Sequence, residues 1–370
     1  MNVLMTADTL GGVFTYALEL AGALGRRGVQ VALATKGAVL TPDQWSAARR
    51  VPGLEIFESA DRLEWMEDPW DDVARSSAWL LDLAERLGPD VIHLNDYAHG
   101  ALPFDAPTVV VGHSCVYSWF EAVRGSAPPD SFARYRREVA RGLAGAGMVV
   151  APTRWMLEAL RRHYGELPRA RVVPNGRSAA CYRPREKEPI ILCAGRLWDA
   201  AKNAAALELV SDRLPWPVLL AGEDQHPDLA HRARSQQRRA HALGRLSPEA
   251  LTPFYERAAI YALPARYEPF GLSVLEAGLA GCALVLGDIP SLRETWMDAA
   301  VFVDPESPEA LRATLCGLAE RPELCASLGD AARTRALTLS PGRMAAGYLE
   351  AYGAVLAERD RREGAPSCAS

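Results

Sequence analysis

The sequence predicts an α/β protein of two doubly wound domains, each a mostly parallel sheet covered by helices. Three observations lead there. The chain has 370 residues, which suits two domains of roughly 150 residues each. Short apolar runs of strand length alternate with stretches of helical periodicity. The alternation then restarts after a Pro-rich, charged run from Tyr182 to Pro189 (YRPREKEP), the best linker candidate. The expected domains are 1–183 and 184–341, with a last amphipathic helix, 342–357, packing back onto the first.

In order, Asn2 to Ala7 reads as a buried strand that Gly11-Gly12 breaks. Val13 to Leu24 has helical spacing and is closed by Gly25 and Gly28. Val29 to Ala34 is the next strand, and a polar and aromatic stretch leads to a helix from Trp70 to Leu87. Gly88-Pro89 stops that helix before a strand at Asp90 to Leu94. Strands at Thr108 to Gly112 and Met148 to Ala151 flank a helix from Phe132 to Ala144. In the second half, Ile190 to Ala194, Val218 to Ala221, Ile260 to Leu263, Ala283 to Leu286 and Ala300 to Val303 are short buried strands, with helical patterns between most of them. The tail after Asp360 is polar and reads as disordered.

Composition excludes several classes. A formal net charge of -5 argues against a nucleic-acid binder. The seven cysteines are odd in number and lack CxxC spacing, so they read as reduced thiols of a cytoplasmic protein. The seven histidines show no HExxH or similar spacing, and no metal site is expected. The N-terminus lacks a signal-peptide pattern, and no apolar run of about 18 residues suggests a membrane span. Gly11-Gly12 lacks the third glycine of a dinucleotide fingerprint, which argues against a nicotinamide enzyme. Lysine is rare: Lys36, Lys187 and Lys202 are the only ones.

Two segments combine the residue types of a reaction site. In RYEPFGLSVLE (266–276), Glu268 precedes a helix that begins near Leu272, and Glu276 lies about one turn inside it. The free N–H groups around Gly271 to Ser273 suit a phosphate. Glu276 is placed to accept from ribose hydroxyls, and Glu268 to meet a sugar. By spacing alone, the same residues fit a capped helix with two surface carboxylates. In AGRLWDAAKN (194–203), a strand ends at Ala194 and Gly195 allows close backbone approach. Arg196 and Lys202 follow on the loop, where open α/β sheets bind ligands. They are the types needed to neutralise a departing nucleoside diphosphate, or a solvated Arg and Lys.

In this pairing, about 70 residues apart, the chain resembles the retaining family-four glycosyltransferases of the GT-B fold, built from two Rossmann-like domains facing a cleft. LGGVFTYALELAGALGRRGVQV, VIHLNDY, VVVGHS, VVAPTRWM and VVPNG resemble that family's N-domain landmarks. LGRLSPEAL, IPSLRE and AAVFVDP resemble its C-domain landmarks. The resemblance implies an acceptor-binding first domain and a donor-binding second one. It implies that Arg196 and Lys202 bind the donor diphosphate, that Glu276 holds the ribose and that Glu268 lies near the transferred sugar. The backbone at Gly195, Phe270, Gly271 and Leu272 would cradle the donor. Gly11 and Gly12 would approach the donor phosphate or the acceptor. His113 would lie close to the donor sugar. No cofactor beyond the nucleotide-sugar substrate is implied, UDP- or GDP-linked, and no metal is required.

The chain also departs from the family. Ser114 stands where an Asp often follows the histidine, and Arg177-Ser178 replaces a hydrophobic residue and an acid. Glu223-Asp224-Gln225 replaces a glycine-rich segment. Asp96 and His99 are candidates for acceptor contact, the acceptor being a glycan, a lipid-linked molecule or a small molecule. The basic and aromatic stretch from Trp119 to Arg141 reads as a solvated helix face over core aromatics. Docking on an anionic membrane is the alternative, which leaves open a peripheral location at the inner membrane face. A nucleotide-sugar epimerase and a catalytically silent sugar-nucleotide-binding protein are the rival functions. The Arg–Lys and Glu–Glu pairing favours the transferase.

Overall fold

The structure is a computed structural model that describes residues 1–223 and 240–363. Asp224, Gln225 and the tail from residue 364 lie outside the described residues. Two compact units result: Met1–Phe120, Ser126–Gly176 and Pro341–Ser370 in one, Glu121–Gly125 and Arg177–Ser340 in the other. The charged run 182–189 belongs to the second unit, where Tyr182 is buried and Glu188-Pro189 open a strand.

The first unit is built on seven parallel strands: β1 (Asn2–Asp8), β2 (Gln30–Lys36), β3 (Glu55–Glu58), β4 (Val91–Leu94), β5 (Thr108–Val111), β6 (Met148–Ala151) and β7 (Ala170–Val172). Their order across the sheet is β3-β2-β1-β4-β5-β6-β7. The chain winds outward one way from β1, then returns to the other side at β4. The β1/β4 boundary is therefore the topological switch point, where the loops at the strand ends diverge and leave a crevice. All four residues of β4 and all four of β5 are buried, as expected of strands covered on both faces.

The second unit repeats the plan with β8 (Glu188–Ala194), β9 (Val218–Ala221), β10 (His241–Gly244), β11 (Ala258–Leu263), β12 (Ala283–Gly287) and β13 (Val301–Val303). The order is β10-β9-β8-β11-β12-β13, again all parallel. Its switch point lies between β8 and β11. The core is aliphatic around fully buried Tyr261 and Trp296.

Several elements escape the periodicity reading. They include the helices Pro42–Ala48, Val116–Arg124 and Arg154–Tyr164, and the strands β3, β7 and β10. The missed strands are short and partly exposed. Edge strands bury too little surface to need an apolar run. The Pro42–Ala48 helix carries its signal in its cap instead: Thr41 and Gln44 form a reciprocal capping box. The last helix runs Pro341–Glu363, so the polar residues just after Asp360 continue a helix. It buries Met344, Tyr348, Tyr352 and Val355, and Gly347 lies against Val173.

Of the basic and aromatic stretch, Tyr135 and Val139 are buried. Arg134 stacks over Trp70 at 4.7 Å, Arg136 over Tyr117 at 5.5 Å, and Arg141 pairs with Glu138. Among the described residues no helix is long and apolar enough to cross a membrane.

Candidate active site

In the second unit the carboxyl ends of β8 and β11, the two strands at the switch point, carry the two segments singled out above. After β8 the chain turns at Gly195, whose N–H donates to Ala221 O at 3.0 Å. The following loop folds around the buried Asp199. Its carboxylate accepts from Ala201 N–H (3.0 Å) and pairs with Arg196 (3.1 Å), while Lys202 N–H donates to Asp199 O (2.9 Å). Arg196 also covers the Trp198 ring at 5.4 Å and keeps 41% of its side chain exposed. Asn203 ends the loop in the left-handed region (φ 55°), a conformation asparagine tolerates better than most residues. Its side chain donates to Pro264 O (3.0 Å) and Pro305 O (2.8 Å) and accepts from Arg266 (2.8 Å). These bonds tie the loop after β8 to the loop after β11.

The tie brings Lys202 onto Glu268: the ammonium and the carboxylate form an ion pair, and both side chains are mostly buried. Ser291 Oγ donates to Glu268 O at 2.6 Å and holds the backbone beneath. Two residues on, Phe270 is buried, and Gly271 starts the helix Leu272–Leu279 with φ 88° and no side-chain cap. A β-carbon at 271 would lie 2.9 Å from Val274 Cγ2, so both backbone and space require glycine. The first helical bond is Leu275 N–H to Gly271 O, 3.0 Å. The N–H groups of Leu272, Ser273 and Val274 precede it and form the positive end of the helix dipole. Tyr261 locks this end to β8, its hydroxyl lying 3.0 Å from Ala194 O and 2.8 Å from Ser273 Oγ.

Glu276, one turn into the helix, pairs with Arg177 at 2.9 Å. Arg177 also donates to Tyr182 Oη at 2.7 Å, and its guanidinium lies 5.7 Å from that ring's centre. Burial and the nearby Glu276 charge raise the Tyr182 hydroxyl well above the ordinary tyrosine value. Arg177, which at the sequence level is only a departure from a pattern, is thus the cation facing Glu276.

In the first unit, Gly11 caps the helix Gly12–Gly25 with φ 111° and open space where a β-carbon would stand. Gly11 and Gly12 are both exposed at the carboxyl end of β1. Next along the switch point, Asn95 and Asp96 follow β4, and His113 follows β5. Tyr16, on the helix that Gly11 starts, meets His113 edge to face at 4.6 Å between ring centres. His113 is partly buried, and burial lowers its pKa to about 3.

Asp96 and His99, the acceptor candidates, are engaged inside the unit. Asp96 accepts from Lys36 (2.9 Å) and Thr6 (3.0 Å) and bonds His99 Nδ1. His99 is 1% exposed, and its Nε2 lies 3.1 Å from Ser76 Oγ. Both side chains are therefore committed to holding the loop after β4, and His99 presents no surface to an acceptor here. Beside them Glu64 accepts from Tyr97 and Ala98 N–H. Burial and the Asp96 charge push its carboxyl up to about 7.

Among the described residues no group of three or more His, Cys, Asp or Glu is arranged to hold a metal ion. The described cysteines are all free thiols, and burial pushes Cys193 up to about 12.

The sequence matches two family models in tandem: Glycosyltransferase Family 4 over residues 10–179 and Glycosyl transferases group 1 over residues 179–335. The chain is similar to the D-inositol 3-phosphate glycosyltransferase of Xylanimonas cellulosilytica, 27% identical over 95% of this chain and 94% of that protein. Sucrose-phosphate synthase from Thermosynechococcus elongatus has the same fold, with a TM-score of 0.82 at 19% identity over 97% of this chain and 100% of that one. HepE from Anabaena, solved in complex with UDP-glucose, aligns with a TM-score of 0.74 at 15% identity, over 95% of this chain and 99% of that one. Two parallel doubly wound sheets, with charged and imidazole side chains gathered at their switch points and the two models end to end across the chain, make it a member of the family-four glycosyltransferases of the GT-B fold, enzymes that transfer a sugar.

Proposed function

We propose that the protein moves a sugar from a nucleotide-diphosphate donor to an acceptor hydroxyl, with retention of anomeric configuration and without a metal. The observation that carries this reading is the meeting of Lys202, Glu268 and the uncapped helix start at the β8/β11 switch point. Lys202, Arg196 and the N–H groups after Gly271 supply positive charge for a diphosphate. The second unit would hold the donor, with Glu276 accepting from the ribose. The first unit would hold the acceptor, and His113 would meet a sugar hydroxyl. HepE was solved with UDP-glucose, which supports a UDP-linked donor here; a GDP-linked donor is the alternative.

In the resting pair, Lys202 and Glu268 neutralise each other. A diphosphate competes for the ammonium and leaves the Glu268 carboxylate to face the sugar, where it stabilises positive charge as the anomeric bond breaks. The acceptor oxygen forms its bond to the anomeric carbon on the face that the diphosphate oxygen leaves. The acceptor proton passes to that departing oxygen. Atoms and charge balance without a covalent enzyme intermediate.

The test is thermal unfolding with UDP, GDP, ADP and dTDP and their sugars, in EDTA. A ligand that binds only the folded state raises the melting temperature with concentration. One nucleotide family should do so, and Lys202→Ala should abolish that rise. No stabilisation by any of them, or normal transfer by Lys202→Ala, overturns the reading.

A further inference from the structure

The network behind His113 determines which of its ring nitrogens is available to a ligand. Asn95, at the carboxyl end of β4, donates through Nδ2 to Thr6 O at 2.6 Å. A carbonyl oxygen can only accept, so this bond fixes which end of the Asn95 amide is nitrogen. The other end, Oδ1, then lies 2.7 Å from His113 Nε2 and 3.2 Å from His93 Nε2. An amide oxygen also only accepts, so both imidazoles donate to it from Nε2. His93 completes the chain with its other nitrogen: Nδ1 lies 2.6 Å from Tyr352 Oη and accepts from that hydroxyl. Asn95 N–H donates to Thr6 Oγ1 at 2.8 Å, which holds the whole residue against β1.

We infer that Asn95 is a positioning residue that fixes His113 as the Nε2–H tautomer and so presents its bare Nδ1 as a hydrogen-bond acceptor for a sugar hydroxyl. Nδ1 of His113 makes no hydrogen bond among the described residues. A neutral imidazole with one nitrogen committed as donor offers only a lone pair at the other. The group it recognises must therefore bring a hydrogen, as a hydroxyl does and a phosphate oxygen does not. The titratable groups packed around this pair are Tyr16, His93, Tyr348 and Tyr352. Burial keeps all four tyrosine and histidine partners in their neutral forms near pH 7, and the next charges, Asp96 and Lys36, lie behind Thr6 and are paired with each other. The hydroxyl belongs to the donor sugar or to a sugar acceptor. The sugar contact rests on the transferase reading, whereas the tautomer does not.

The experiment is nitrogen NMR of the full chain labelled with 15N-histidine, the His113 signals being assigned by their loss in His113→Gln. The expected wild-type pattern is a protonated Nε2 and an unprotonated Nδ1, unchanged between pH 6 and 8. Asn95→Leu should give a mixture of tautomers. Asn95→Asp, of nearly the same shape, should place a carboxylate on both rings and raise the pH at which His113 gains its second proton. Tyr352→Phe, which leaves Asn95 in place, should leave the His113 tautomer unchanged. A protonated Nδ1 in the wild type, or a pattern that neither Asn95 variant alters, overturns the positioning role.

For the ligand, UDP-glucose, GDP-mannose, ADP-glucose and dTDP-glucose are added in turn, then free glucose. A shift of Nδ1 with a nucleotide sugar assigns the hydroxyl to the donor, and one with glucose alone assigns it to an acceptor. Thermal stabilisation by a nucleotide sugar without any Nδ1 shift overturns the sugar contact while the donor reading stands. No binding by any probe counts against the transferase reading itself, and the tautomer result is unaffected.

Discussion

Lys202 and Glu268 stand 66 positions apart in the chain and form an ion pair with 16% and 11% of their side chains exposed. The pair joins the loop after β8 to the loop after β11, so it has a structural part beside the chemical one proposed above. Lys202→Ala strands a mostly buried carboxylate, which costs about 2–3 kcal/mol, somewhat less than for a sealed pair. It should also lower sugar transfer at least ~100-fold, the scale for losing a donor to developing negative charge. In Lys202→Ala/Glu268→Gln the stranded charge is gone, so chemical denaturation should show much of the stability restored while transfer stays lost. Transfer that recovers with stability would mean that the pair is only structural.

Arg177 offers a second separable pair. Arg177→Leu leaves the Glu276 carboxylate, 13% exposed, without its guanidinium partner. We expect a loss of about 2 kcal/mol and weaker UDP binding by calorimetry. Inorganic pyrophosphate, which has no ribose, should bind this variant as it binds the wild type. Equal weakening of both ligands would place the effect on the diphosphate instead.

Gly271→Ala should destabilise the second unit by about 1–3 kcal/mol, because φ is 88° and the new methyl lies 2.9 Å from Val274 Cγ2. Adding Val274→Ala relieves the clash but leaves the backbone strain. Melting of the double variant above the single one, once the loss from Val274→Ala alone is subtracted, would show the steric part.

Acid should weaken the first unit through its histidines. His93 and His113 have folded values near 3, against 6.5 unfolded. The unfolded chain therefore takes up their protons first, and stability falls as pH drops from about 6.5 toward 3. Glu64 works in the opposite sense. Its folded value of about 7 lies above the ordinary 4.5, so its contribution is complete below 4.5 and lost as pH rises through 7. Denaturation of wild type and Glu64→Gln from pH 5 to 8 checks this: the variant should gain on the wild type as pH rises, and parallel curves would refute the Glu64 assignment.

The well-buried elements were readable because their burial forces a pattern on the chain. Trp70–Leu87 and Met148–Ala151 match the structure end to end. Glu268, Gly271 and Glu276 could be placed around a helix start because all three lie on one local segment. The edge strands and the capped helix Pro42–Ala48 were less visible, since partial exposure relaxes the apolar period.

By itself, the sequence determined the α/β class, the restart of the fold in the second half and the residue types at the strand ends, all properties of local spacing. Only the tertiary structure decided which of those side chains meet. Sheet order places β8 beside β11 and β1 beside β4. That order brings Lys202 onto Glu268 and Arg177 onto Glu276, and sets Asn95 between two imidazoles. It also turns Asp96 and His99 inward, onto Lys36, Thr6 and Ser76. Apart from His93 and Asn95, two positions apart on one strand end, these contacts span between 18 and 99 positions of chain, with the distance of each pair set by packing rather than by any period along the sequence.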